Sequence, residues 1–192
     1  AGRVVDVFAL DGSGRVGQLL ARCRGASAAV TRVDWLLSGA AIRANTRAHE
    51  LLHWDPTTGK ARGDPYLDEG TGLTSWASGH CTLRFETMGI WQDGANASSV
   101  KAVASSNDPA RSLLVTADTS SRVRLYNSPC VVEDAPCAGP YMGHASHVED
   151  VVFAAGDTRV VSAGGADRTV MVWKVVPAPG AGAVTTGSSA AP

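Results

Sequence analysis

The sequence predicts an all-β protein: a β-propeller fragment of about three four-stranded antiparallel blades plus a leading strand, with the ring not closed. The first observation is a repeat. Val30-Thr31-Arg32-Val33, Val100-Lys101-Ala102-Val103 and Val148-Glu149-Asp150-Val151 each open a unit, and Trp54, Tyr126 and Trp173 close it 24, 26 and 25 residues later. Within each unit an apolar cluster stands twelve residues before the aromatic, at Ile42, Leu114 and Val161. The second observation is the period. The closing aromatics Phe8, Trp54, Tyr126 and Trp173 are spaced 46, 72 and 47 residues apart, and a four-stranded propeller blade takes about 40–45. The third is local. Val, Leu and aromatic residues gather in short runs broken by Gly, Asp, Asn and Ser, which is strand-and-turn chemistry.

The elements follow in order. Residues 1–10 read as the closing strand of a preceding blade, ending at Phe8 and Leu10. Residues 11–59 form the first full unit. Residues 60–128 form the second, and its excess length lies in a Gly-rich, polar loop insertion at 61–88. Residues 129–176 form the third unit, in which Val170-Met171-Val172-Trp173 is apolar on both faces, as a strand buried between two layers must be. The best helix candidate, residues 17–24, is short. The tail 177–192 is Pro, Gly, Ala and Ser without charge and is expected to be disordered. A propeller closes with about four to eight blades, so further blades are missing from this chain, and the piece is expected to associate when produced alone.

Composition narrows the function classes. Of the 192 residues, 44% are hydrophobic and 18% charged, with a net charge of −1, which is a globular balance rather than a disordered one. No apolar run reaches membrane-spanning length, and no secretory signal is visible at the Ala1 end. Residues 1–62 hold nine Arg and Lys against five Asp and Glu, or +4; residues 63–192 hold eight against thirteen, or −5. A weak +4 is not a nucleic-acid footprint. Cys23, Cys81, Cys130 and Cys137 read as free thiols. Cys130 and Cys137 precede His144 and His147, but six residues between the cysteines fit poorly with a zinc turn, which brings its thiolates two to four apart.

One motif argues for an enzyme. Gly12-Ser13-Gly14-Arg15-Val16-Gly17 is a G-x-G-x-x-G after an apolar run, with Asp34 placed like a ribose-binding carboxylate. The fingerprint needs a helix after the glycines and alternating strands and helices beyond, which the sequence lacks. The other reading is a hairpin turn at Asp11-Gly12-Ser13-Gly14. His49 and His53, four apart, read as exposed surface histidines. No nucleophile elbow, H-E-x-x-H or P-loop is present, so no catalytic residue, cofactor or metal is assigned.

The last unit reads Gly143-His144 … Val160-Val161-Ser162-Ala163-Gly164-Gly165-Ala166-Asp167-Arg168-Thr169-Val170-Met171-Val172-Trp173 and resembles a WD40 repeat. The resemblance implies a structural hydrogen-bonded set of His144, Asp167 and Trp173. Its Ser/Thr position falls on Ala163, so the set is expected to be incomplete. In the other units the Asp position is Ala48 and Ser120. The ordered phrases His49-Glu50-Leu51-Leu52-His53-Trp54-Asp55, Met88-Gly89-Ile90-Trp91, Ser128-Pro129-Cys130 and Gly143-His144-Ala145-Ser146-His147-Val148 resemble the C-terminal end of the echinoderm microtubule-associated protein-like family, over roughly residues 3–176. That resemblance implies a non-catalytic scaffold without cofactor, binding tubulin or microtubules in the cytoplasm, with the cilium or axoneme as one setting. An acidic partner would meet the +4 segment at Arg22, Arg24, Arg32, Arg43 and Arg47. The competing readings are a generic WD40 adaptor and a dinucleotide-binding enzyme using the Gly12 to Gly17 loop.

Overall fold

The computed structural model describes residues 2–63, 76–91, 100–108 and 111–176. Among these residues twelve strands form four antiparallel sheets in chain order. A hairpin of β1 (Val5–Leu10) and β2 (Val16–Cys23) leads. The second sheet is β3 (Val30–Trp35), β4 (Ile42–Thr46) and β5 (Leu51–Trp54). The third is β6 (Val100–Ser105), β7 (Leu113–Asp118), β8 (Arg122–Asn127) and β9 (Cys137–Met142). The fourth is β10 (Val148–Ala154), β11 (Arg159–Gly164) and β12 (Val170–Lys174). A 3₁₀ helix, Phe85–Ile90, lies between the second and third sheets in sequence. The fold is an all-β, unclosed propeller fragment.

The repeat is written into the backbone. Each inner strand carries a bulge at the same place: the register slips between Val30 and Arg32, between Val100 and Ala102, and between Val148 and Asp150. One residue per strand is thereby pushed out of the ladder, which bends it and increases its twist. In each unit the turn after the middle strand places one residue in the left-handed region, at His49, Ser121 and Arg168. Each stands five residues before the closing aromatic. Ile42 pairs with Trp54 and Leu114 with Tyr126, whereas Trp173 pairs with Val160, one residue before Val161.

Among the described residues only the third sheet reaches four strands. After Trp54 a fourth strand shrinks to a single bridge with Ala61, and β12 has no outer neighbour. The leading strand is paired: β2 (Val16–Cys23) runs through the stretch 17–24 where a helix is the best sequence candidate. Strand pairing overrides that short helical pattern, because Ala21 and Cys23 bury on one side of β2 against the second sheet.

Three apolar clusters make the core, two between neighbouring sheets and one packing the 3₁₀ helix on the third sheet. Val7, Ala21 and Cys23 of the hairpin meet Ile42, Ala44 and Trp54. Ile90 packs with Val103, Leu114, Tyr126 and Cys130. Val115 and Val123 meet Val148, Val151 and Val160 between the last two sheets. Val170 and Val172 were expected to bury on both sides, but they stand 69% and 58% exposed. No further layer covers that face of β12 among the described residues. The insertion at 61–88 is not simply a solvated loop. Residues 64–75 lie outside the described residues, as does the tail 177–192 expected to be disordered, but Cys81 and Thr87 are fully buried.

Candidate functional site

Two side-chain constellations stand out, and both hold the fold rather than form a reaction centre. The first is in the last sheet. Trp173 Nε1–H donates to Ser162 Oγ at 2.8 Å, and His144 Nε2 lies 2.8 Å from the same oxygen. His144 Nδ1 lies 3.0 Å from Asp167 Oδ2 and 2.9 Å from Thr169 Oγ1. An ionised carboxylate only accepts, so a singly protonated ring carries its proton on Nδ1 and leaves Nε2 to accept the Ser162 hydroxyl. The relay then runs Trp173 to Ser162 to His144 to Asp167 with each group satisfied. Burial pushes the Asp167 carboxyl up, but hydrogen bonds from the Thr169 N–H, His144, the Thr169 hydroxyl and the Ala145 N–H outweigh it and hold it below its usual value.

The structure therefore brings His144, Asp167 and Trp173 together and corrects the expectation of an incomplete set. The fourth member is Ser162, not Ala163. Strand alternation was the available signal. Val160 and Ser162 share the buried face of β11, and Ala163 points to the other side because side chains alternate along a strand. The other units hold the equivalent turn or the closing aromatic by different bonds. Asp118 takes the N–H groups of Ser120 and Arg122 at 2.8 and 3.0 Å and the Arg124 guanidinium at 2.8 Å. Trp54 Nε1–H donates to the Arg24 carbonyl at 2.8 Å.

The second constellation lies where β3 and β4 meet residues 76–84, a strap across the end of β3. Arg43 Nε is 3.0 Å from Asp34 Oδ2, and both side chains have zero exposure. The Arg43 guanidinium stacks 3.9 Å above the Trp76 ring and lies 3.6 Å from Glu86. Asp34 also accepts from the Ser78 hydroxyl at 2.9 Å, the His80 N–H at 2.8 Å and the Cys81 N–H at 3.1 Å. One carboxylate thus staples the strap to the sheet. Burial pushes the Asp34 carboxyl up, while Arg43 and those three bonds pull it further down, so it stays below its ordinary value. Burial pushes the Cys81 thiol up, which removes it as a nucleophile. Asn45 holds the strap again, donating to the Leu83 carbonyl and accepting the Leu83 N–H at 3.0 and 2.9 Å. Trp76 and Cys81, large or apolar residues in an otherwise polar insertion, were the sequence signal for this packing.

The remaining sequence candidates fall as follows. Arg43 is excluded as a partner contact by burial. Arg22 is bound to Asp6 at 2.7 Å, and Arg32 reaches Asp150 at 3.5 Å. Arg24 and Arg47 are exposed. His49 is exposed in its turn, but His53 is buried, 6.1 Å from the Trp76 ring, which corrects the surface assignment. The strap brings Trp76 down onto β5, so His53 is covered by residues distant in sequence. Gly12 to Gly17 form the β1–β2 hairpin turn: Gly14 N–H donates to the Asp11 carbonyl at 2.9 Å, and Asp11 Oδ1 accepts the Ser13 and Arg15 N–H groups. A strand rather than a helix follows, and Asp34 is already consumed, so the dinucleotide fingerprint has neither its phosphate nor its ribose contact here. All four cysteines are free. Among the described residues no cluster of His, Cys, Asp and Glu could hold a metal, and no helix is long and apolar enough to cross a membrane.

The model of the echinoderm microtubule-associated protein second beta-propeller matches residues 2–175. Human echinoderm microtubule-associated protein-like 2 is 35% identical over 173 residues, covering 90% of this chain and 26% of that protein. The mouse echinoderm microtubule-associated protein-like 1 is 32% identical, over 90% of this chain and 20% of that protein. The human form 3 is 32% identical over 93% of this chain and 19% of its own length. The chain thus spans about a fifth to a quarter of the relatives it matches. Two computationally designed proteins share the fold: Ika4 has TM-score 0.54 at 18% identity, covering 83% of this chain and 99% of its own, and Ika8 has TM-score 0.54 at 20% identity, covering 91% and 56%.

Proposed function

This chain belongs to the echinoderm microtubule-associated protein family, in its second β-propeller group, and on that premise we propose that it is a non-catalytic interaction module of a protein that associates with microtubules or tubulin in the cytoplasm. The carrying observation is the relatedness along nearly the whole chain to proteins whose names describe microtubule association. The chemistry of the site supports the non-catalytic part. The buried carboxylates and histidine are consumed by structural bonds, and the buried thiol of Cys81 is held protonated.

An electrostatic contact with an acidic surface would use Arg24 and Arg47, which are exposed, ahead of Arg22, which is exposed but paired with Asp6. Arg22 and Arg32 would contribute less, because each is already shared with a carboxylate. The test is co-sedimentation of the full-length natural protein with microtubules at low and moderate salt. Binding is expected at low salt and to weaken as salt rises, since exposed charges are screened within about 10 Å at 0.1 M. Arg24→Glu with Arg47→Glu should weaken it further. If the protein stays in the supernatant at low salt and captures no soluble tubulin, the module is a WD40-type adaptor without a cytoskeletal role. A ciliary or axonemal setting is the finer form of the same reading, checked by locating the tagged protein in ciliated cells.

A further inference from the structure

The strap leaves an open cleft of about 500 Å³ between itself and the C-terminal ends of the inner strands β6 and β10. Trp76 and Phe153 supply apolar walls, and Ser106 and Asn107 supply hydroxyl and amide groups. Arg84 lines the cleft at only 6% exposure. Its Nη2 donates to Ser105 Oγ at 2.8 Å, but its Nε has no hydrogen-bond partner among the described residues. The strap closes over this guanidinium because residue 79 is glycine: a Cβ there would stand 2.6 Å from Arg84 Nη1.

A buried cation with an unfilled donor is costly until an acceptor reaches it. Burial pushes the Arg84 guanidinium down, and the nearby Glu86 charge opposes that. Glu86 is shared with Arg43, 3.6 Å away, and Asp34 is taken up by Arg43 and the strap. Glu86 also lines the cleft, but its charge is engaged by Arg43, so Arg84 is the cation a ligand would meet there. We propose that this cleft binds an acidic peptide segment, seating a Glu or Asp carboxylate against Arg84 with the neighbouring chain between Trp76 and Phe153. Its volume falls in the range of sites that enclose small ligands, about 300–1,000 Å³. Arg suits a carboxylate because its donors are fixed in a planar fork. The proposal names a contact chemistry for the partner proposed above and rests on that reading only for where such a peptide comes from.

The test uses labelled octaglutamate, octaglutamine and inorganic phosphate, titrated against the protein in its full natural length and followed by fluorescence anisotropy and competition. Octaglutamate should bind at low salt at least about tenfold more tightly than octaglutamine, and phosphate should compete only weakly. Arg84→Gln should weaken octaglutamate by about tenfold or more. Val152→Trp, at a 40% exposed rim position that leaves the core untouched, should do the same by filling the cleft. Equal binding by wild type and both variants, equal binding of octaglutamine, or full displacement by phosphate at the peptide's own concentration would overturn the proposal; the last would mark a bare anion hole. Because no microtubule enters the assay, failure here is separate from failure of co-sedimentation.

Discussion

Arg43 Nε stands 3.0 Å from Asp34 Oδ2, with both side chains wholly excluded from water. The pair joins neighbouring strands β3 and β4, and the carboxylate reaches on to the strap at Ser78, His80 and Cys81. Removing one partner of such a pair leaves the other charged and uncompensated, a loss of about 3–5 kcal/mol. Asp34→Ala should therefore lower the urea midpoint strongly and open the strap to protease. Replacing both, as Asp34→Leu with Arg43→Met, should cost less than Asp34→Ala alone. If the double replacement is the worse of the two, the pair is not the dominant tie.

The staple also sets an acid limit. The folded carboxyl of Asp34 is held below its ordinary value of 3.8, and a depressed carboxylate stabilises the fold above its unfolded value. That contribution is complete at neutral pH and is lost as pH falls below about 4 toward the folded value. Stability of the wild type should drop across that range, and Asp34→Asn should drop less across it from a lower start. Parallel curves for the two proteins would assign the acid sensitivity elsewhere.

Ser162 receives Trp173 and meets His144, both at 2.8 Å, with no exposure of its own. Ser162→Ala leaves the indole N–H and one imidazole nitrogen unsatisfied, costing about 1–3 kcal/mol. Asp167→Ala should destabilise as well, by freeing the His144 ring and the Ala145 and Thr169 N–H groups. Ser120 stands at the equivalent turn of the middle unit, where it is exposed and the carboxylate work is done by Asp118. Ser120→Ala should be nearly silent. Thermal melts of the three variants check this, and equal shifts for Ser162 and Ser120 would dissolve the distinction.

Gly164 is required by the same site. A Cβ at this position would overlap the Asp167 carboxylate and press on His144. Gly164→Ala should destabilise as much as Ser162→Ala, although it removes no hydrogen-bonding group. A neutral effect would mean that the turn can shift freely.

The outer face of β12 carries exposed Val170 and Val172, and the leading hairpin exposes Leu10, Val16 and Leu20. Unpaired edges and apolar faces of this kind invite association. The 192-residue chain produced alone should elute as oligomers or aggregates, and Val170→Lys with Val172→Lys should shift it toward monomer. A monodisperse wild-type monomer with a cooperative melt would contradict this.

Taken by itself, the sequence determined what depends on local spacing. The Val openings, the twelve-residue offsets and the closing aromatics located the three units. Strand order follows them because hairpin-linked strands pair with their chain neighbours. Asp11-Gly12-Ser13-Gly14 likewise read as a turn, since its bonds close within five residues. Only the tertiary structure decided which polar groups lose contact with water. Arg43 looked like a surface cation and His53 like a surface imidazole, until the strap, more than twenty residues downstream, covered both. Ser162 replaced Ala163 because the face of β11 that meets His144 is set by register with β12, and a one-residue offset turns a side chain to the opposite face. Val170 and Val172 read as doubly buried but are exposed, because burial on the second face needs a layer that no pattern within these residues supplies.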